Sequence, residues 1–161
     1  MNKCKFFSGA LFFIFVVVMG IMTNEINAAA GGLSFGVRGG YDTDSKQILI
    51  GGQSELGKFL EIARFSPSVD YGFGQDMTTF AFNGDVHVFL TPPGASATLY
   101  GGAGPTFFVF KPKGGNSDSE IGLTLSGGIK FGAAKSRVYN LEGRFGFDKM
   151  PDLRILLGVY F

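Results

Sequence analysis

The sequence predicts an all-β fold in which about eight antiparallel strands run up and down and close into a barrel. Three observations carry that expectation. From Gly31 onward apolar residues recur at every second position, and no segment sustains the 3.6-residue period of a buried helix. Clusters of Gly, Asp, Asn, Pro and Ser interrupt the alternation at close spacing, as turns between strands do. The composition of the 161-residue chain is 45% hydrophobic and 15% aromatic, with 26 Gly and only 17% charged residues, which leaves few charges to coat a surface facing water.

The first thirty residues follow a different rule. Lys3 and Lys5 precede the apolar run from Ala10 to Met22, and an Ala28-x-Ala30 site follows with Gly31 behind it. That order of basic, apolar and small residues is the pattern of a secretory leader, removed after Ala30. An uncleaved anchor helix over Phe6 to Met22 is the alternative, at the lower length limit for spanning a bilayer. The sole cysteine, Cys4, falls inside this segment, so residues 31–161, the single barrel domain, are expected without disulfides.

Strands are expected at Leu33 to Asp42, Gln47 to Glu55, Phe59 to Phe73, Thr78 to Leu90, Ala97 to Phe110, Ile121 to Phe131, Arg137 to Phe147 and Leu153 to Phe161. The breaks between them are TDSK, LGK, GQDM, TPPGASA, KPKGGNSDSE, GAAKS and DKMPD, all rich in turn formers. Alternation sorts each strand into two faces. Strand one sets Leu33, Phe35, Val37 and Tyr41 against Ser34, Gly36, Arg38 and Gly40. Strand four sets Phe80, Phe82, Val86, Val88 and Leu90 against Thr79, Asn83, Asp85 and His87. Strands six and seven repeat the division, with Leu123, Leu125, Leu141 and Phe145 opposite Thr124, Ser126, Glu142 and Arg144. The last strand sets Leu153, Ile155, Leu157, Val159 and Phe161 against Asp152, Arg154, Leu156, Gly158 and Tyr160. In strand three, Leu60 and Ile62 break the pattern, and GGAGPTFFVF in strand five is apolar on both faces.

Alternation does not say which face is inside, because a soluble carrier barrel turns its apolar face inward and a membrane barrel turns it outward. Bulk decides. An eight-stranded barrel has an interior just wide enough to be filled by side chains, so the Gly, Ser and Thr face belongs inside and the Phe, Leu and Ile face outside, against lipid. The fold class is therefore an eight-stranded antiparallel up-and-down transmembrane β-barrel preceded by a leader. The inner face then holds a network of charges able to neutralise one another: Arg38, Arg64, Lys130, Arg144 and Arg154 with Glu55, Asp70, Asp85 and Glu142, joined by His87. Facing lipid at mid-membrane, each Arg or Lys would instead cost about 2–4 kcal/mol. Closure also demands that the last strand pair with the first, since hydrocarbon tolerates no unpaired edge. The aromatic end, Tyr160 and Phe161, is expected at the interfacial girdle.

The leader, the alternating strands and the terminal LLGVYF together resemble small bacterial outer-membrane β-barrels of the OmpA/OmpX type, over Gly31 to Phe161. The resemblance implies an outer-membrane location in a Gram-negative envelope, periplasmic termini, and outer-membrane lipid as surroundings. It also implies that Leu157, Val159 and Phe161 form the signal read by the barrel-assembly machinery. This chain departs from the family pattern in its glycine, which stands at Gly158 instead of at the position of Leu156. On the implied topology the connections at Thr43 to Lys46, Gly74 to Met77, Lys111 to Glu120 and Asp148 to Asp152 face outside. Their shortness argues against an adhesin.

Other chemistry is thinly signalled. A net charge of +1 gives no footprint for nucleic acid. The lone His87 beside Asp85 could serve a lipid-modifying enzyme, but no His-x-Ser arrangement accompanies it. One His and scattered carboxylates make no zinc pattern, YDTDSK and GNSDSE lack calcium-loop spacing, and GGAGP at Gly101 to Pro105 lacks the helix of a phosphate loop. The expectation is a non-enzymatic barrel without cofactor or metal, structural or interactive in role, with the ligand of its outer loops unassigned. A lipid-modifying enzyme and a secreted lipocalin-like carrier are the alternatives.

Overall fold

The computed structural model describes residues 33–60, 62–90, 96–133, 137–147 and 150–161. The expected leader, residues 1–30, with its cleavage site, lies outside them. The chain forms β1 (Ser34–Asp42), β2 (Gln47–Leu60), β3 (Ala63–Phe73), β4 (Met77–Leu90), β5 (Ala97–Pro112), β6 (Asp118–Ala133), β7 (Arg137–Gly146) and β8 (Arg154–Tyr160). Each strand pairs antiparallel with the next, and β8 returns to β1, closing the barrel. The closing ladder runs from Gly36 opposite Tyr160 to Asp42 opposite Arg154. It reaches the last residue, where the Phe161 amide donates to the Phe35 carbonyl at 2.8 Å. Among the described residues every strand is paired on both sides, the closure that hydrocarbon surroundings would require.

The boundary between the second and third strands differs from expectation. The segment Leu56 to Lys58 is not a turn: it lies inside β2, which runs on to Leu60. Gly57 adopts φ 52°, a conformation open to glycine, and the register shifts there as in a bulge, so the strand bends without reversing. Reversal falls between Leu60 and Ala63, which places Leu60 at the end of β2 and explains why Leu60 and Ile62 broke the strand-three pattern. At the other end of the barrel β5 and β6 extend beyond expectation, to Pro112 and from Asp118, because their ladder continues through Phe110 opposite Asp118. Pro67 and Pro105 sit inside strands, and each interrupts the ladder on one side only. The β2–β3 pairs jump from Gln53–Ser68 to Leu56–Phe65, and the β4–β5 pairs from Asn83–Thr106 to Val86–Ala103. A residue without an N–H has no bond to give there.

The apolar face points outward. Phe82, Leu123, Phe145 and Ile155 are 41%, 52%, 52% and 47% exposed, with Val37, Ile50, Leu99 and Leu157 beside them on the same wall. A soluble carrier would hold these rings in its cavity. On β6 the belt runs from Ile121 to Phe131. Ten steps of about 3.4 Å at a tilt of about 45° give roughly 25 Å of height, the apolar band of a membrane barrel. Tyr160 departs from expectation: it does not face the girdle but is buried at 5% exposure. The two-residue period forces this, because Val159 and Phe161 on either side of it take the outer wall.

Glycine makes the interior possible at points of closest approach. A Cβ on Gly128 would lie 2.6 Å from the Tyr100 hydroxyl, and one on Gly122 would lie 2.6 Å from Met150 Cγ. Gly128→Val should therefore displace Tyr100 from the lumen and lower stability by about 1–3 kcal/mol. The midpoint of urea unfolding in lipid vesicles measures it, and an unchanged midpoint would mean that the ring has room to spare.

Candidate functional site: the charged barrel interior

The lumen is filled by side chains stacked in three levels. The middle level is built on two guanidinium groups sharing one carboxylate. Arg38, from β1, grips Asp70 of β3 with Nε at 2.7 Å and Nη2 at 2.5 Å, and also donates to Ser68 Oγ at 2.8 Å. Its Nη1 reaches Glu142 Oε1 at 3.4 Å. Arg144, from β7, meets the same Glu142 oxygen from Nη2 at 3.2 Å and pairs with Asp85 of β4. The other oxygen of Glu142 accepts from the Tyr100 hydroxyl at 2.6 Å, and Tyr100 also contacts Asn140 at 2.9 Å. Asn83, Thr106 and Thr124 complete the wall: Asn83 donates to Asp70 at 3.0 Å, Thr106 donates to Asn83 at 2.9 Å, and the two threonine hydroxyls lie 3.0 Å apart.

Toward the chain termini, Glu55 bridges Lys130 and Arg64, the latter at 2.9 Å. The Lys130 ammonium is surrounded by aromatic faces, 4.2 Å from the Tyr160 ring, 4.8 Å from Phe89 and 5.3 Å from Tyr100. Such contacts favour a desolvated cation by about 2 kcal/mol. Arg64 lies 5.2 Å over Phe89 and is the most open of the set, its side chain 33% exposed. At the opposite end Arg154 faces Asp42 at 3.5 Å and lies 5.1 Å over Phe108. Met150 closes that mouth, buried against Ala81 and Phe108 with Phe110 alongside.

All ten residues expected in the network, Arg38, Glu55, Arg64, Asp70, Asp85, His87, Lys130, Glu142, Arg144 and Arg154, line this lumen, though in three separate groups. Every one of the five Arg and Lys side chains has a carboxylate partner. Asp42 was missed as the partner of Arg154, although it continues the even-numbered row of strand one that holds Arg38. Tyr100 was missed because strand five reads as apolar on both faces. The burial of Met150, in the segment between β7 and β8, left no trace in any alternation.

His87 shares a hydrogen bond of 3.2 Å with Ser126 through Nε2, and the same nitrogen is 3.8 Å from Asp85. A relay needs the serine and the carboxylate on opposite ring nitrogens. Here Nδ1 has no hydrogen-bond partner among the described residues and the ring is buried, so the three side chains do not have the geometry of such a relay. Among the described residues no group of three or more His, Cys, Asp and Glu is arranged to hold a metal.

The closed eight-stranded barrel is similar in fold to solved proteins. The N-terminal β-barrel domain of Pseudomonas aeruginosa OprF superposes with TM-score 0.64 at 15% identity, over 80% of this chain and 95% of that one. The fold is that of the small outer-membrane barrels. Neisserial surface protein A matches this outer-membrane-type barrel with TM-score 0.61 at 12% identity, over 80% of this chain and 94% of that one. Ail, the attachment invasion locus protein of Yersinia pestis, matches with TM-score 0.51 at 17% identity, over 80% and 94%. No protein-family model matches the chain, and no curated protein does.

Removing the shared carboxylate should be the most damaging single change in the lumen of this barrel. Glu142→Ala leaves Arg38 and Arg144 facing one another in a buried interior, at a cost of about 3–5 kcal/mol. Asp44→Ala in the exposed β1–β2 turn should stay within about 0.5 kcal/mol. Urea titration of the two variants in vesicles checks both.

Proposed function

We propose that this chain is an integral outer-membrane β-barrel of a Gram-negative envelope, structural or interactive in role and without catalytic activity. The observation that carries this reading is the inversion of polarity: a ring of exposed Phe, Leu, Ile and Val surrounds a lumen of paired ions. That distribution is stable only where the outer solvent is hydrocarbon. Residues 1–30 are the leader that exports the chain and is removed. Leu157, Val159 and Phe161, side by side on the outer wall of β8, are the signal by which the barrel-assembly machinery takes up the C-terminal strand. Turns such as 43–46 and 74–76 present little surface for an extracellular ligand, which favours a structural role over an adhesive one.

Fractionation tests the location. The protein should pellet with the outer membrane and run faster on a gel before heating than after, and recovery from the soluble periplasm would defeat the reading. Leu123→Arg, in the middle of the apolar belt, should lower stability in vesicles by about 2–4 kcal/mol. A substitution that left the unfolding midpoint unchanged would mean that this wall faces water.

A further inference from the structure

Alternation of polar and apolar residues forbids a one-residue slip at the closing seam, because every side chain of β8 would change face. It does not forbid a slip of two. Such a slip keeps the lipid-facing row of Ile155, Leu157 and Val159 outside, and it would still close the barrel. Something on the inner face has to select among the registers that alternation permits.

The inner rows across β2, β1 and β8 have a regular form. Gln53, Gly36 and Tyr160 make one row; Gly51, Arg38 and Gly158 make the next; Leu49, Gly40 and Leu156 the third; Gln47, Asp42 and Arg154 the last. Large and small residues alternate both along β1 and across it. The fit is tight at each glycine. A Cβ on Gly36 would meet the Val159 carbonyl oxygen and lie 3.1 Å from Tyr160 Cδ1, and one on Gly40 would meet the Ile155 carbonyl oxygen and lie 2.8 Å from Leu156 Cδ2. A Cβ on Gly158 would strike the Gln53 amide, which lies over that position. The fourth row is an ion pair, Arg154 with Asp42.

We infer that this interlocking of glycine with bulky side chains on the inner face of β1 and β8 fixes the closing register, and so the strand stagger of the barrel. Slid by two residues one way, Arg38 meets Leu156 while Gly36 and Gly158 face each other across an empty gap. Slid the other way, Arg38 meets Tyr160 and Gly40 meets Gly158. Both slips part Arg154 from Asp42, and both crowd one row while emptying another, which a close-packed interior resists. The position of Gly158, out of step with the family pattern, is then a matter of fit to this barrel: it is the hole opposite Arg38 and beneath Gln53.

The test exchanges one knob and one hole without touching the outer wall. In the double variant Leu156→Gly with Gly158→Leu, the native register sets Arg38 against a leucine, whereas a slip of two restores the match. Cross-strand proton contacts in detergent micelles report the outcome: Arg38 should contact residue 158 in the parent protein and residue 156 in the variant. A variant that closes with Arg38 still opposite residue 158 overturns the proposal. A second pair covers a variant that fails to close. Gly158→Ala should lower the ratio of folded to unfolded chain roughly tenfold at a fixed urea concentration, and adding Gln53→Ala should return it to at least half of the parent ratio. Absence of that rescue overturns the proposal as well.

Discussion

One carboxylate held between two guanidinium groups organises the interior: Glu142 Oε1 stands 3.4 Å from Arg38 Nη1 and 3.2 Å from Arg144 Nη2. Ions removed from water are tolerated only when paired and hydrogen-bonded, so each arginine needs a further partner. Asp70 serves Arg38 and Asp85 serves Arg144. These five side chains draw β1, β3, β4 and β7 into one bonded level. Long side chains fit in a narrow lumen only where neighbouring strands contribute little, and the space left at Gly51, Gly128 and Gly158 is taken by Asp70, Tyr100 and Gln53 respectively. The abundance of glycine and the filling of the interior by large polar side chains are thus two sides of one packing requirement.

The polarity of the outer wall follows from the same requirement. Once small and ionic residues occupy the lumen, strict alternation sends the bulky rings outward, and the wall becomes continuous hydrocarbon from Ile121 to Phe131 on β6. Backbone polarity adds an independent constraint. A sheet exposed to lipid must have every N–H and C=O paired, and closure of β8 on β1 through to Phe161 satisfies this at the seam. Pro67 and Pro105 are accommodated because each keeps its ladder on the side where no N–H is needed, opposite Gly84 and Leu123 respectively.

Much of this was legible in the sequence, and the gaps have physical causes. Strand count, order and in-out facing follow from a two-residue period that β1, β4, β6 and β7 display without interruption, and the lumen-facing charges fall out of the same period. The boundary between β2 and β3 was misplaced because glycine marks both turns and bulges. Gly57 made a bulge, and a bulge leaves no residue-level sign that separates it from a turn. Tyr160 was assigned to the girdle on its aromatic character, although its parity already placed it inside with Arg154 and Gly158. Which inner charges pair with which was beyond reach, since partners such as Glu55 and Lys130 lie on strands far apart in the order and meet only across the lumen.

The filling of the lumen bears directly on what such a barrel can do. A solute entering from the terminal end meets Lys130 held by Glu55 beneath the rings of Phe89 and Tyr160. Next it meets the Arg38, Glu142 and Arg144 level, which reaches across the lumen from β7 to Asp85 of β4. From the other end it meets Met150 packed on Phe108. Passing the two charged levels means separating ion pairs in a low dielectric, where the attraction is strong, and passing the other mouth means displacing Met150. On the proposed role, such barriers in series make the interior a support for the wall and not a conduit. On the proposed location, the surfaces left for function are the apolar outer wall and the short turns at the mouths.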